Sequence, residues 1–279
     1  MPVIQLYRHG ATIGTPPTKN THDRGKRQAV EGWTSKSARA NTTFLQSVEL
    51  ADLWGYGFAF TLTLKDCPET HEEWQTLRTN FIKRLRRKGL IRLHWVTEWQ
   101  RRGVPHLHGV AYFDDWVFSP EELKRTWCSL AEKYTASHWS QDVKPISDSL
   151  GWLKYLAKHA SRGAMHYQRS SENIPKGWQK TGRIWGKVGD WPIVEPLRIE
   201  LDNDGRDRYR RIIRSYLISV ARTPVRGKIM TRSITYARIM LKSNNQTKSN
   251  VAGLRTWIPE KLTLEILDYL KKSGFRVEM

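Results

Sequence analysis

Cysteine is scarce in this chain, with only Cys67 and Cys128 among 279 residues. Two thiols rule out a disulfide framework and a zinc knuckle, and they fit a reduced cytoplasm. Missing too is any uninterrupted apolar run near the ~20 residues that a membrane-spanning helix requires. The start of the chain, Met1 to His9, lacks the apolar core of a signal peptide. Acid is in short supply: 27 Asp and Glu stand against 47 Lys and Arg, for a net charge of +20. From Arg208 through Arg255 there are twelve Lys or Arg and not one Asp or Glu. A field of that sign suits a polyanion. Nucleic acid is therefore the leading partner, and a membrane is not expected. Thirteen tryptophans are the counterweight to these absences. Some can stack on bases, but most should be core.

Residues 1–35 mix Gly, Thr, Pro and charge without a sustained period and read as a loosely packed N-terminal arm, extending to about residue 40. The pattern sharpens at Phe58-Ala59-Phe60-Thr61-Leu62-Thr63-Leu64, where alternate apolar side chains predict a half-buried strand. Thr70 and Glu73 form a capping box. Trp74, Leu77, Phe81 and Leu85 follow at helical spacing, with Gly89 placed to end the helix. Ile91–Thr97 predicts a second strand, Arg101-Arg102-Gly103 a turn, and Pro105–Phe113 a third strand. Ser119-Pro120-Glu121-Glu122 caps another helix, whose buried stripe is Leu123, Trp127, Leu130 and Tyr134. A short strand at Asp142–Ile146 and a helix over Ser147–Ala160 complete the series. The order β-α-β-β-α-β is that of an α+β, ferredoxin-like split βαβ fold, an antiparallel sheet with helices on one face and the other face open.

Two local features carry chemistry. In Pro105-His106-Leu107-His108-Gly109 the strand period sends His106 and His108 to one face and Leu107 to the other. Two imidazoles so placed can chelate a divalent ion. Glu98 lies across the short turn and is positioned to add a harder third ligand, with His94 on the same strand as its rival. The second feature is Trp152-Leu153-Lys154-Tyr155-Leu156-Ala157-Lys158-His159. Leu150, Leu153, Leu156, Ala157 and Ala160 share one arc of the helix, and Tyr155 falls outside it. Its phenol is presented beside Lys158 at i+3 and His159 at i+4. A phenol with pKa near 10 needs such a neighbour to act as a nucleophile. Each feature alone has a bland reading, a chance pair on a wet sheet and a surface tyrosine.

Taken in order, Phe60-Thr61-Leu62-Thr63, then Glu98 with Pro105-His106-Leu107-His108, then Tyr155-Leu156-Ala157-Lys158 resemble the three motifs of HUH-class rolling-circle replication initiation endonucleases. The text around the tyrosine (Tyr155 to Arg162, Tyr167-Gln168-Arg169, Gly177-Trp178 and Gly182-Arg183-Ile184-Trp185-Gly186) is similar to initiators of filamentous bacteriophages and small plasmids. The resemblance spans about residues 40–195.

It implies that His106, His108 and Glu98 hold one Mg²⁺ or Mn²⁺, and that Tyr155 attacks a scissile phosphate to leave a 5′-phosphotyrosine and a free 3′-hydroxyl. Lys158 would position the tyrosine or help to deprotonate it. The next tyrosine, Tyr167, is twelve residues on and beyond Gly163, so a one-tyrosine enzyme is expected. No G-x-x-x-x-G-K followed by Ser or Thr occurs, which excludes a fused P-loop helicase and leaves unwinding to a host helicase and synthesis to a host polymerase. The expected partners are single-stranded origin DNA, in a hairpin, and origin duplex.

The expected domains are an arm at 1–40, an endonuclease at 41–195 and a basic region at 196–279. In the last, Tyr209, Ile212, Ile213, Tyr216, Leu217 and Val220 form the stripe of one helix. Leu262, Leu264, Ile266, Leu267 and Leu270 form that of another, ending near Gly274. Candidate DNA contacts are Arg183, Arg208, Arg210, Arg211, Arg214, Arg226, Lys228 and Arg232. A transposase or relaxase of the same chemistry, or a non-catalytic ferredoxin-like nucleic-acid binder, would share parts of this pattern. The relaxases' early tyrosine and three-histidine cluster do not fit here, and a stacking sheet face would carry aromatics where His106 and His108 stand.

Overall fold

A computed structural model describes residues 1–15, 32–114, 118–161, 168–224, 231, 234–235 and 252–279. The chain divides into two compact units, Met1–Arg24 with Val194–Met279, and Gly25–Ile193. No described helix is long and apolar enough to cross a membrane.

The terminal unit begins with β1 (Val3–Tyr7) and β2 (Gly10–Thr15), an antiparallel hairpin. The expected loosely packed arm is therefore wrong for residues 3–15. These strands are short, Gly- and Thr-containing, and apolar on both faces of β1, so no period-2 signal marks them. Their partners come from the far end of the chain.

The second unit opens with α1 (Ser35–Gln46), also inside the expected arm. It continues through β3 (Tyr56–Leu62), α2 (His71–Arg86), β4 (Leu90–Trp99), β5 (Pro105–Phe113), α3 (Pro120–Leu130), β6 (Asp142–Pro145), α4 (Ser149–Ser161) and β7 (Trp185–Gly189). The caps form as the sequence predicts: the Thr70 hydroxyl accepts from Glu73 N–H and the Ser119 hydroxyl from Glu122 N–H. Helix α3 stops before Tyr134, which lies in a 3-10 turn and donates its hydroxyl to Glu73 Oε2 at 3.0 Å.

The five strands are antiparallel in the order β6-β3-β5-β4-β7. The first four reproduce the split βαβ order, and β7 adds a strand beside β4. Helices α2 and α3 cover one face through Trp74, Leu77, Phe81, Leu85, Leu123 and Trp127, all buried against Phe60, Leu93, Trp95 and Leu107. Trp127 meets Trp74 and Phe81 edge-on at 5.9 and 5.3 Å, a geometry that adds to simple burial. Gly109 is required here, because a Cβ would lie 2.3 Å from the Phe60 ring and 2.5 Å from the His94 carbonyl.

The opposite face is not open as expected. Helices α1 and α4 lie on it, with Phe44 stacked on His94 at 5.4 Å and Tyr112 donating its hydroxyl to Ser149 at 3.2 Å.

Back in the terminal unit, β8 (Leu197–Leu201) pairs with β1, and the sheet reads β10-β8-β1-β2-β9, with β9 at Ala252–Thr256 and β10 at Val277–Glu278. Helices α5 (Asn203–Arg222) and α6 (Glu260–Lys272) bury Tyr209, Ile213, Ile266, Leu267 and Leu270 against Ile4, Leu6, Ile13 and Ile199. Val220 and Leu264, placed on the apolar stripes by spacing, are exposed instead.

Candidate metal centre and active site

Strands β4 and β5 are joined by a tight hairpin. Gln100 N–H donates to the Val104 carbonyl and Gly103 N–H to the Gln100 carbonyl, each at 2.9 Å. Gly103 takes φ of +75°, a conformation glycine adopts without cost. The hairpin fixes the ladder so that Glu98 stands opposite His106 and Val96 opposite His108. Because side chains alternate, Glu98, His106 and His108 emerge on the same face, the face that α4 covers.

Their ligand atoms converge. Glu98 Oε2 lies 3.5 Å from His108 Nε2 and 4.0 Å from His106 Nε2, and the two Nε2 atoms are 3.1 Å apart. All three residues are buried, with Glu98 fully so. Among the described residues this is the one cluster of His, Cys, Asp or Glu able to hold a metal ion. The donor set, two imidazole nitrogens and a carboxylate oxygen, fits a divalent ion.

Neighbours orient each ligand. Thr61 Oγ1, from β3, is 2.8 Å from His108 Nδ1, so Nδ1–H can donate to Thr61 and leave the Nε2 lone pair for an ion. Arg169 donates to Glu98 Oε1 from both Nε (2.9 Å) and Nη2 (2.7 Å). The Arg169 guanidinium lies 3.9 Å over the Trp33 ring, and the Trp33 indole N–H donates to the Thr97 carbonyl at 2.9 Å.

Tyr155 comes to the cluster from α4. That helix packs Leu153, Leu156 and Ala157 into the core, which turns Tyr155 toward the sheet. Its ring centroid is 6.1 Å from that of His108 and 5.2 Å from that of Trp152, both edge-on. Lys158 follows one turn later in α4, and its side chain lies outside the described residues.

His94, the rival ligand, stands apart. It pairs with Val110, four residues up the strand from Glu98, or about 13 Å at strand rise. Its Nε2 is 2.7 Å from Asn41 Oδ1. Complete burial pushes its imidazole down to about 3, so it is neutral. His94 belongs to the packing between α1 and the sheet.

The proposed DNA contacts are dispersed. Arg183 is exposed in the Gly25–Ile193 unit, and its carbonyl accepts from Arg78 Nη1 at 3.1 Å. Arg208, Arg210, Arg211 and Arg214 lie on α5, where Arg211 is exposed and Arg208 donates to the Tyr269 hydroxyl at 2.8 Å. Arg226, Lys228 and Arg232 lie outside the described residues, as does Tyr167.

Sequence reasoning missed Arg169 and Trp33 as parts of the site. Neither spacing nor periodicity links positions 136 residues apart (169 − 33) to a carboxylate between them. A sequence signal existed only for Arg169, within the stretch that resembles phage initiators.

The family model of replication-associated protein ORF2/G2P matches residues 57–163, from β3 through the tyrosine helix. The chain is 46% identical over 282 residues to the replication-associated protein G2P of Pseudomonas phage Pf3, covering 99% of each chain. It is 43% identical over 285 residues, again 99% of each, to a putative replication protein of Xylella fastidiosa strain 9a5c. A putative replication protein of strain Temecula1 of the same species is 43% identical over 92% of this chain and 99% of its own. No solved structure matches. Near-complete alignment at this identity, together with the family-model match over residues 57–163, places the chain in the replication-associated protein ORF2/G2P family.

Proposed function

We propose that this protein is a metal-dependent, sequence-specific endonuclease and strand transferase for single-stranded DNA that initiates rolling-circle replication. Family membership supports a part in phage or plasmid replication. The observation that carries the chemistry is Tyr155, edge-on to His108 at 6.1 Å and beside the Glu98–His106–His108 cluster.

His106 Nε2, His108 Nε2 and Glu98 Oε2 would hold the ion. A bound Mg²⁺ or Mn²⁺ supplies positive charge against the negative charge that develops on the non-bridging phosphate oxygens. The Tyr155 oxygen attacks phosphorus in line. A bond from phosphorus to the phenolic oxygen forms, the bond to the 3′-oxygen breaks, and that oxygen takes up a proton. The products are a 5′-phosphotyrosine and a 3′-hydroxyl that primes synthesis. The phenol must lose its proton to attack, and Lys158, one turn along α4, positions it or takes part in that loss. In the reverse sense a new 3′-hydroxyl attacks the phosphotyrosine, the bond from phosphorus to the phenolic oxygen breaks, the hydroxyl proton ends on the departing Tyr155 oxygen, and the strand is closed without a nucleotide cofactor. Cleavage this specific needs the origin as single strand, exposed in a hairpin or by a host helicase, with a host polymerase extending the 3′ end.

The test is to incubate the full chain with Mn²⁺ and labelled single-stranded DNA from its own replicon. We expect cleavage and a covalent adduct retarded on a denaturing gel, both abolished by chelator. Chelator-resistant cleavage, or none on any strand of the replicon, would refute the reading.

A further inference from the structure

We propose that Arg169 is a positioning residue of the metal centre, fixing Glu98 as a one-oxygen ligand and holding the cluster ready before an ion binds. The inference rests on the metal reading given above.

Both Arg169 donors land on the same carboxylate oxygen, Oε1, at 2.9 and 2.7 Å. The other oxygen, Oε2, is the one that faces the two imidazoles. A glutamate without this clamp can swing to either histidine or present both oxygens to an ion. Charge-assisted bonds to one oxygen remove both options. Arg169 is itself held. It is 1% exposed, and its guanidinium lies on the Trp33 face.

Both supports are tied to the residues that flank Glu98. Trp33 Nε1 donates to the Thr97 carbonyl, and the Gln168 carbonyl accepts from Trp99 N–H at 2.8 Å. The clamp and the ligand therefore share one rigid frame along β4. Such outer partners of a ligand change metal affinity about 10–100-fold when removed.

The competing account is a buried ion pair that only packs. The two differ in sign. Removing a positive charge beside the site should by itself tighten binding of a dication. Weakening in Arg169→Lys, which keeps a positive charge beside Glu98, then reports the loss of positioning.

The experiment measures Mn²⁺ binding to the full chain by the electron paramagnetic resonance signal of free Mn²⁺, with melting curves as a check on folding. We expect binding in the wild type that is lost in His106→Ala. Arg169→Ala should weaken it at least about tenfold, and Arg169→Lys should fall in between. A folded Arg169→Ala protein that binds Mn²⁺ like the wild type overturns the inference and leaves the metal reading standing. Where Arg169→Ala fails to fold, Arg169→Lys decides: weakened binding supports the clamp and unchanged binding overturns it. A wild type that takes up no Mn²⁺ overturns the metal reading and this inference with it.

Discussion

Glu98 and His106 are a registered cross-strand pair, opposite one another in the β4–β5 ladder with Glu98 Oε2 4.0 Å from His106 Nε2. That register, set by the tight hairpin at Gly103, brings a carboxylate to two imidazoles whose spacing the strand itself provides. His108 is then the hinge of the site, touching Glu98 on one side, Thr61 on another and the Tyr155 ring on a third.

Removing any one ligand should empty the site. With His106→Ala, His108→Ala or Glu98→Ala, two ligands remain, and two rarely hold Mg²⁺ or Mn²⁺ against water. We expect loss of Mn²⁺ uptake and of strand cleavage in all three. His94→Ala is the control. It should keep Mn²⁺ uptake while losing roughly 2–4 kcal/mol of stability, from the emptied volume and the orphaned Asn41 partner. Uptake lost in His94→Ala and kept in Glu98→Ala would move the third ligand.

Acid should expose the burial of His94. Its imidazole is pushed from its ordinary 6.5 to about 3, first by burial and then by Lys187. Between these values the unfolded chain binds a proton that the folded chain refuses. This contribution to stability is intact above pH 6.5 and is lost progressively as pH falls toward 3. The melting temperature should drop through that window, and less steeply in a His94→Gln variant. Equal slopes in the two proteins would contradict the assignment.

Part of this was legible in the sequence and part was not. The β3-to-α4 core was, because alternation, capping boxes and the His106–His108 spacing are local signals that tertiary packing reinforced. Strands β1 and β2 were not, since β1 is apolar on both faces, β2 is short with two glycines, and β1 completes its pairing with β8, more than 190 residues later. The coverage of the His face by α1 was hidden for a similar reason. Phe44 and Asn41 reveal a partner only when His94 stands against them. Arg169 carried no spacing clue at all, because a clamp on a buried carboxylate depends on three-dimensional proximity.

The arginines of α5 test the basic region. Arg211→Gln with Arg214→Gln should weaken duplex binding at fixed salt. The slope of log affinity against log salt should fall by about 0.9 for each phosphate that the variant no longer neutralises. Cleavage of a single-stranded oligonucleotide should persist, since neither residue is near the Glu98 cluster in sequence or unit. An unchanged slope would return α5 to the role of a charged scaffold.

Tyr155→Phe separates binding from chemistry. The ring that packs against His108 and Trp152 is kept and only the oxygen is lost. Affinity for single-stranded origin DNA should stay within about twofold, as expected for an unchanged ring, while cleavage disappears. A large loss of affinity would mean that the hydroxyl holds the strand and is not simply its attacker.

The most direct measurement is to trap the adduct between the full chain and single-stranded origin DNA in Mn²⁺, digest it, and locate the nucleotide-bearing peptide by mass spectrometry. The account predicts a 5′-phosphate ester on Tyr155, beside Trp152 on α4. A nucleotide on any other residue, or cleavage that proceeds with no covalent protein–DNA species, would contradict it.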